Sequence, residues 1–264
     1  MLTLLKLGGS LITDKNQPMT SRPEVIARLA NEIKQALDHH PDLNLILGHG
    51  SGSFGHIAAD KYSTRAGIQD QRGWLGFAEV WFGARALNQV VIEALAAAGL
   101  PVIAMPPSAS VIARDGVVAE WNLAPLRAAL TAGLIPLVNG DTIFDRVRRG
   151  TILSTEDLFC HLAAQLDVRR ILLAGIEDGV WSDFPLCTRL INEITPHDFP
   201  QIVSTLSGSA GIDVTGGMAS KVAQMINLVK NKPDLEALIF SGLQAGNVEL
   251  ALAGHSPGTR ISCR

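Results

Sequence analysis

An apolar run at residues 43–47 ends abruptly in Gly48-His49-Gly50-Ser51-Gly52-Ser53-Phe54-Gly55, four glycines within eight residues. A buried strand that breaks into so dense a glycine turn restricts what the chain can build. Glycine lets the backbone take positive φ and approach another chain or a ligand closely. Where a helix follows, its first N–H groups have no carbonyl behind them and form a place for an anion, most often phosphate. A tight βα loop with no ligand would show the same glycines, so the reading turns on whether the rest of the chain repeats the arrangement.

It does. Residues 2–7 read as a short strand ending in Gly8-Gly9-Ser10, with Lys6 just before the turn. Ser21-Arg22-Pro23-Glu24 has the spacing of a capping box, and Val25, Leu29, Ile33 and Leu37 follow at helical intervals. The polar stretch 60–73 reads as a surface excursion. Phe77, Val80, Trp81, Ala84, Leu87, Val91 and Leu95 then make the stripe of a long helix ending near Gly99. A strand at 101–105 is stopped by Pro106 and Pro107; a helix at 124–132 and a strand at 134–138 lead into Asn139-Gly140-Asp141, with a hairpin tip at 146–150. Ser154-Thr155-Glu156-Asp157 caps a helix to about residue 166, and 170–174 is a buried strand followed by Asp178-Gly179. After an irregular stretch at 183–200, Asp213 to Gly217 opens a helix over 218–231. A strand at 235–240, a short helix at 247–253 and an edge strand at 259–263 complete the chain. Repeated strand–helix alternation predicts an α/β fold with a mostly parallel central sheet covered on both faces.

The 264 residues are enough for one large α/β domain, 1–264, built of two closely joined lobes, about 1–160 and about 161–264. A net charge of −3 without a Lys/Arg block gives no argument for a nucleic-acid or membrane surface. Cys160, Cys187 and Cys263 match neither a disulfide framework nor a metal site, which suggests a reducing compartment. With no long apolar run and no signal-peptide pattern at the start, the expectation is a cytoplasmic protein.

Two familiar glycine signatures fail. No Gly-x4-Gly-Lys-Ser/Thr string exists, which removes a P-loop. Gly50-Ser51-Gly52-Ser53-Phe54-Gly55 does satisfy G-x-G-x-x-G, and Asp70 follows about 20 residues on, as a dinucleotide fingerprint asks. That aspartate has no strand leading to it, however, the turn follows the second strand rather than the first, and Lys6 to Ser10 would go unexplained. Three stretches have to be taken together: Lys6-Leu7-Gly8-Gly9-Ser10 with Asp14-Lys15 behind it; His49 to His56; and Leu206-Ser207-Gly208-Ser209 followed by Ile212-Asp213-Val214-Thr215-Gly216-Gly217-Met218, with Lys221 beyond.

In order and spacing, these stretches resemble the amino acid kinase superfamily and, within it, the isopentenyl phosphate kinase family. The resemblance spans nearly the whole chain. Lys-x-Gly-Gly-Ser marks only the superfamily, whereas the terminal His56 of the glycine loop marks its phosphate-accepting branch. The resemblance implies an open αβα sandwich, normally a homodimer, with the acceptor in the N-terminal lobe and ATP in the C-terminal lobe. It implies ATP-dependent phosphorylation of isopentenyl phosphate to the diphosphate, with Mg²⁺ carried on the nucleotide phosphates and no metal site of the protein's own. By the same resemblance, Lys6 touches ATP phosphates and Lys15 stabilises charge in the transition state. Gly8, Gly9, Ser10 and Ser51 lie along the ATP phosphates, and Asp178, Gly216 and Lys221 belong to the nucleotide side. Gly50, His56 and Gly140 contact the acceptor phosphate, and Asp157 organises the lysines.

The residue types suit that reaction. A phosphate monoester has its second pKa at about 6, so the accepting oxygen is largely ionised near neutrality and needs no strong base. Catalysis would then come from in-line positioning and charge neutralisation. Plain structural readings stand beside the functional ones. His56 can be a helix-start histidine, Asp157 a helix N-terminal charge, Asp213 a turn former and Lys221 a solvated helix face; His49 is read as structural. Two departures from the family pattern bear on ATP: Ser51 replaces a glycine, and Gly175-Ile176 replaces a Thr-Asp pair. The alternatives are another phosphate- or phosphonate-accepting member, such as a fosfomycin-type kinase, and a non-catalytic nucleotide or oxyanion binder on the same fold.

Overall fold

The computed structural model describes residues 1–206 and 217–263. The first half contains β1 (Leu2–Leu7), α1 (Gly9–Ile12), α2 (Pro23–His39), β2 (Asn44–His49), α3 (His56–Lys61), α4 (Gln71–Ala97), β3 (Val102–Ala104), β4 (Val111–Arg114), β5 (Val117–Trp121), α5 (Ala124–Thr131), β6 (Ile135–Asn139), β7 (Asp141–Asp145) and β8 (Arg149–Leu153). The second half contains α6 (Thr155–Gln165), β9 (Val168–Gly175), β10 (Val180–Trp181), β11 (Leu190–Ile191), β12 (Glu193–Ile194), α7 (Phe199–Leu206), α8 (Gly217–Asn231), β13 (Glu236–Ser241), α9 (Asn247–Leu252) and β14 (Gly258–Ile261).

One eight-stranded sheet runs β12-β14-β13-β9-β1-β2-β6-β3. All neighbours are parallel except β13 and β14. Successive residues along the strands face opposite sides, and the apolar residues divide accordingly. Leu4, Ile46, Ile171, Leu173 and Ile239 face one core, with Phe159 and Leu162 of α6 and Met225 and Ile226 of α8. Leu5, Leu47, Leu172 and Phe240 face the other, with Leu29 and Ile33 of α2, Leu87 and Val91 of α4, and Val248 of α9. The sheet is therefore apolar on both faces and covered by helices on each, which is the αβα arrangement expected of the alternation.

Several local expectations are corrected. Ser21 does not cap α2: Arg22 is the N-cap without a side-chain bond, and Pro23 starts the helix because its missing N–H costs nothing there. The excursion at 60–73 is partly helical, and α4 begins at Gln71 because Asp70 caps it, accepting from Gly73 N at 2.8 Å. That cap accounts for Asp70 in place of a ribose contact. β14 is not at the edge, since the two-residue β12 pairs outside it. A second, four-stranded sheet, β5-β4-β7-β8, surrounds the hairpin expected near 146–150. Asp213 and Gly216, expected on the nucleotide-side turn, lie outside the described residues.

Candidate active site

β1 lies where the sheet changes direction of growth, with β2 on one side and β9 on the other. In open α/β sheets, ligands bind at such a switch point, beyond the carboxyl ends of the strands. The turns after β1, β2, β6 and β9 meet there. Gly8 N donates to the Ala174 carbonyl at 2.8 Å, Gly50 N to Leu7 at 3.1 Å and Gly140 N to His49 at 3.1 Å. The first two glycine turns interlock so closely that a Cβ on Gly9 would lie 2.5 Å from Gly52 N. Gly52 itself has φ +49°, and a side chain there would strike Thr13. These turns need glycine for contact between backbones, beyond any need of a ligand.

The resulting pocket is lined by Lys6, Gly8, Gly9, Ser10, Gly50, Ser51, His56, Gly140 and Lys221, all nine anticipated from sequence. Ala59, Val80, Ile152 and Leu153 add an apolar wall. Ser10 and the glycines before it open α1, so the first N–H groups of that turn have no helical carbonyl behind them. Lys6, in the second-last position of β1, is buried and paired with Glu156, the second residue of α6. Burial alone would raise the Glu156 carboxyl, but the positive charges of Lys6 and Lys221 hold it below the usual glutamate range.

Glu156 was missed from sequence, and the structure gives it the place expected of Asp157. Adjacent helix positions differ by about 100°, so only one of the two carboxylates can face the lysines. Asp157 turns aside: Ser154 Oγ accepts from Asp157 N at 3.1 Å, while Ser154 N donates back to Asp157 Oδ2 at 2.8 Å. Its carboxylate also accepts from Gln224 at 2.8 Å and from Arg65 at 3.2 Å. Asp157 is thus the N3 member of a capping box. The chemical signal that could have found Glu156 is its place in the first turn of a helix that starts just beyond β8, at the strand ends.

Two other anticipated residues stand apart. Lys15 is exposed on the loop that the Thr13–Ser21 bridge closes, and Asp178 is exposed beyond β9; neither lines the pocket. His49 is structural, as expected: fully buried, its Nδ1–H donates to the Gly50 carbonyl at 3.1 Å and Nε2 lies 2.9 Å from the Asn88 side-chain amide. Burial lowers its pKa, which favours the neutral ring. Thr155 Oγ1 donates to the His49 carbonyl at 2.6 Å and fastens α6 to the end of β2.

Among the described residues, no cluster of His, Cys, Asp and Glu could hold a metal ion unaided, and no helix is long and apolar enough to cross a membrane. The amino acid kinase family model matches residues 1–241. Isopentenyl phosphate kinase of Methanocaldococcus jannaschii is 36% identical, over 99% of this chain and 98% of its own. The enzyme of the same name from Methanothermobacter thermautotrophicus is 33% identical, over 99% of each. A solved structure described as an isopentenyl phosphate kinase superposes with a TM-score of 0.84 at 30% identity, covering 99% of this chain and all of that one.

Proposed function

The chain belongs to the amino acid kinase family, and from that premise we propose that this pocket transfers the γ-phosphoryl group of ATP to isopentenyl phosphate, giving isopentenyl diphosphate. The observation that carries the reading is the meeting of Lys6, the Gly8-Gly9-Ser10 turn and His56 in one pocket at the strand ends. Relatives named isopentenyl phosphate kinase match over nearly their full length. Bringing two polyanions together needs positive charge and fixed donors more than it needs a base. Lys6 and Lys221 supply charge on the nucleotide side, and Glu156 holds Lys6 in place against the β1 turn. The backbone N–H groups of the two glycine turns supply donors that need no reorganisation during transfer. His56 donates to the acceptor phosphate across from them. Lys15, three residues beyond the end of α1 on its exposed loop, takes its role at the transferring group from the family resemblance alone.

Mg²⁺ fits this site as a companion of the nucleotide phosphates, where it would neutralise charge on the transferred group. The lobe ending near residue 160 takes the acceptor and the remainder takes ATP; the enzyme works as a cytoplasmic homodimer, consistent with its free thiols.

The test is ADP release with ATP and Mg²⁺, offering isopentenyl phosphate, fosfomycin, acetylglutamate and UMP separately. Turnover on isopentenyl phosphate alone is expected; turnover on another acceptor, and none on this one, removes the substrate assignment. His56→Ala should raise the acceptor KM with little change in that of ATP, and an unchanged acceptor KM would leave His56 a structural helix-start residue.

A further inference from the structure

We propose that Arg65 is a second cationic ligand of the acceptor phosphate, parked on Asp157 while the acceptor is away. The inference rests on reading the pocket as a phosphate-acceptor site.

Arg65 lies on the single 3₁₀ turn Thr64–Ala66 and lines the same pocket as His56, Gly140 and Ile152. Its guanidinium is only partly satisfied. Nη2 donates to Asp157 Oδ2 at 3.2 Å, whereas Nη1 is buried with no hydrogen-bond partner. A guanidinium carries five donors in a fixed fork, and a buried donor without a partner is costly. Arg65 is therefore held by one ion pair at 3.2 Å, and its buried Nη1 is left without an acceptor.

Both ends of this contact are built for release. The Arg65 backbone is fixed, because its carbonyl accepts from Thr151 Oγ1 at 2.9 Å and from Arg148 Nη1 at 3.2 Å. Only the side chain has to turn. Asp157 is not stranded when Arg65 leaves, since Ser154 N and Oγ and Gln224 Nε2 all continue to donate to it at 2.8 Å. The ion pair is partly exposed, with the two side chains 31% and 18% accessible, so breaking it carries no burial of a bare charge.

The chemistry on the pocket side favours the move. An acceptor phosphate monoester near neutrality carries close to two charges, while a histidine contributes at most one and loses it as pH rises. Arginine stays charged throughout, and its fork can engage two phosphate oxygens at once, whereas the contact with Asp157 uses Nη2 alone. Arg65 thus provides a specificity element: it rewards a dianionic acceptor and leaves the apolar wall of Ala59, Val80 and Ile152 free for the rest of the molecule.

Calorimetric titration of isopentenyl phosphate without nucleotide, together with steady-state kinetics, tests this on wild type, Arg65→Gln and Arg65→Lys. Arg65→Gln should weaken acceptor binding on the order of 10–100-fold, the value of lost charged hydrogen bonds, and raise acceptor KM while the ATP KM stays within about twofold. Arg65→Lys should fall between the two, because it keeps the charge and loses the fork. If Arg65 served only to pair with Asp157, the lysine variant would bind as wild type does, and that result overturns the proposal. Unchanged acceptor affinity in a natively folded Arg65→Gln overturns it equally. Wild-type enzyme that neither binds nor uses isopentenyl phosphate overturns the substrate reading itself, and the role of Arg65 with it.

Discussion

A lysine at the buried end of a strand can remain charged only if something nearby repays its lost hydration. For Lys6 that partner is Glu156, itself buried, so each makes the other's charge tolerable. Removing one partner of a buried pair is more damaging than replacing both. Glu156→Gln should therefore lower kcat by about 10²–10³-fold, through misplacement of Lys6 in a site that depends on fixed charge. Acceptor affinity should change little. Steady-state kinetics on the folded variant would check this, and a near-normal kcat would show that Lys6 is positioned by other groups. Sequence alone exposes Lys6 through Gly-Gly-Ser, but it cannot separate Glu156 from Asp157, since the choice depends on which way the first turn of α6 faces. Arg65 was out of reach for a different reason: its partner is 92 residues away, and no local spacing encodes the contact.

At the level of elements, α6 carries much of the site. Its N-cap Ser154, its Thr155 bond to the β2 end and its Glu156 all fall within one turn. Ser154→Ala removes the side chain that caps Asp157 N, which should cost about 1 kcal/mol. Denaturant unfolding should show a lower midpoint with an unchanged slope. A capping loss without effect on the midpoint would mean that packing on the sheet alone fixes this helix. The Ser154 cap, the long α4 stripe and the strand–glycine turns were legible because each is a local pattern. The second sheet was not. β5 is exposed at Val117, Ala119 and Glu120, and β4 finds β7 as its parallel neighbour some thirty residues on, a pairing that no local spacing encodes. The α2 start misled for a related reason, because the spacing Ser-x-x-Glu is present while Pro23 claims the first helical position.

For the molecule as a whole, pH acts first through histidine. His49 is buried and neutral, with its pKa lowered mainly by burial from an ordinary 6.5. The unfolded chain takes up a proton below that value and the folded chain resists it. Stability from this group is therefore complete above about pH 6.5 and declines as pH falls toward the folded value. His161, lowered by burial as well, adds in the same direction. Melting temperatures should fall between pH 7.5 and 5.5, before most carboxylates titrate. Below that, Glu156 adds a further loss as pH falls through its depressed value, while Asp141, raised by burial, opposes it. A melting temperature that is flat down to pH 5.5 would mean that His49 accepts a proton inside the fold.

The outermost strands of the main sheet, β12 and β3, have two and three residues. A margin that short offers little unpaired backbone for another chain to zip onto. The long, apolar central strands, which in isolation would be prone to stack into fibrils, are enclosed between ends too brief to template them. The sheet is in that sense self-terminating.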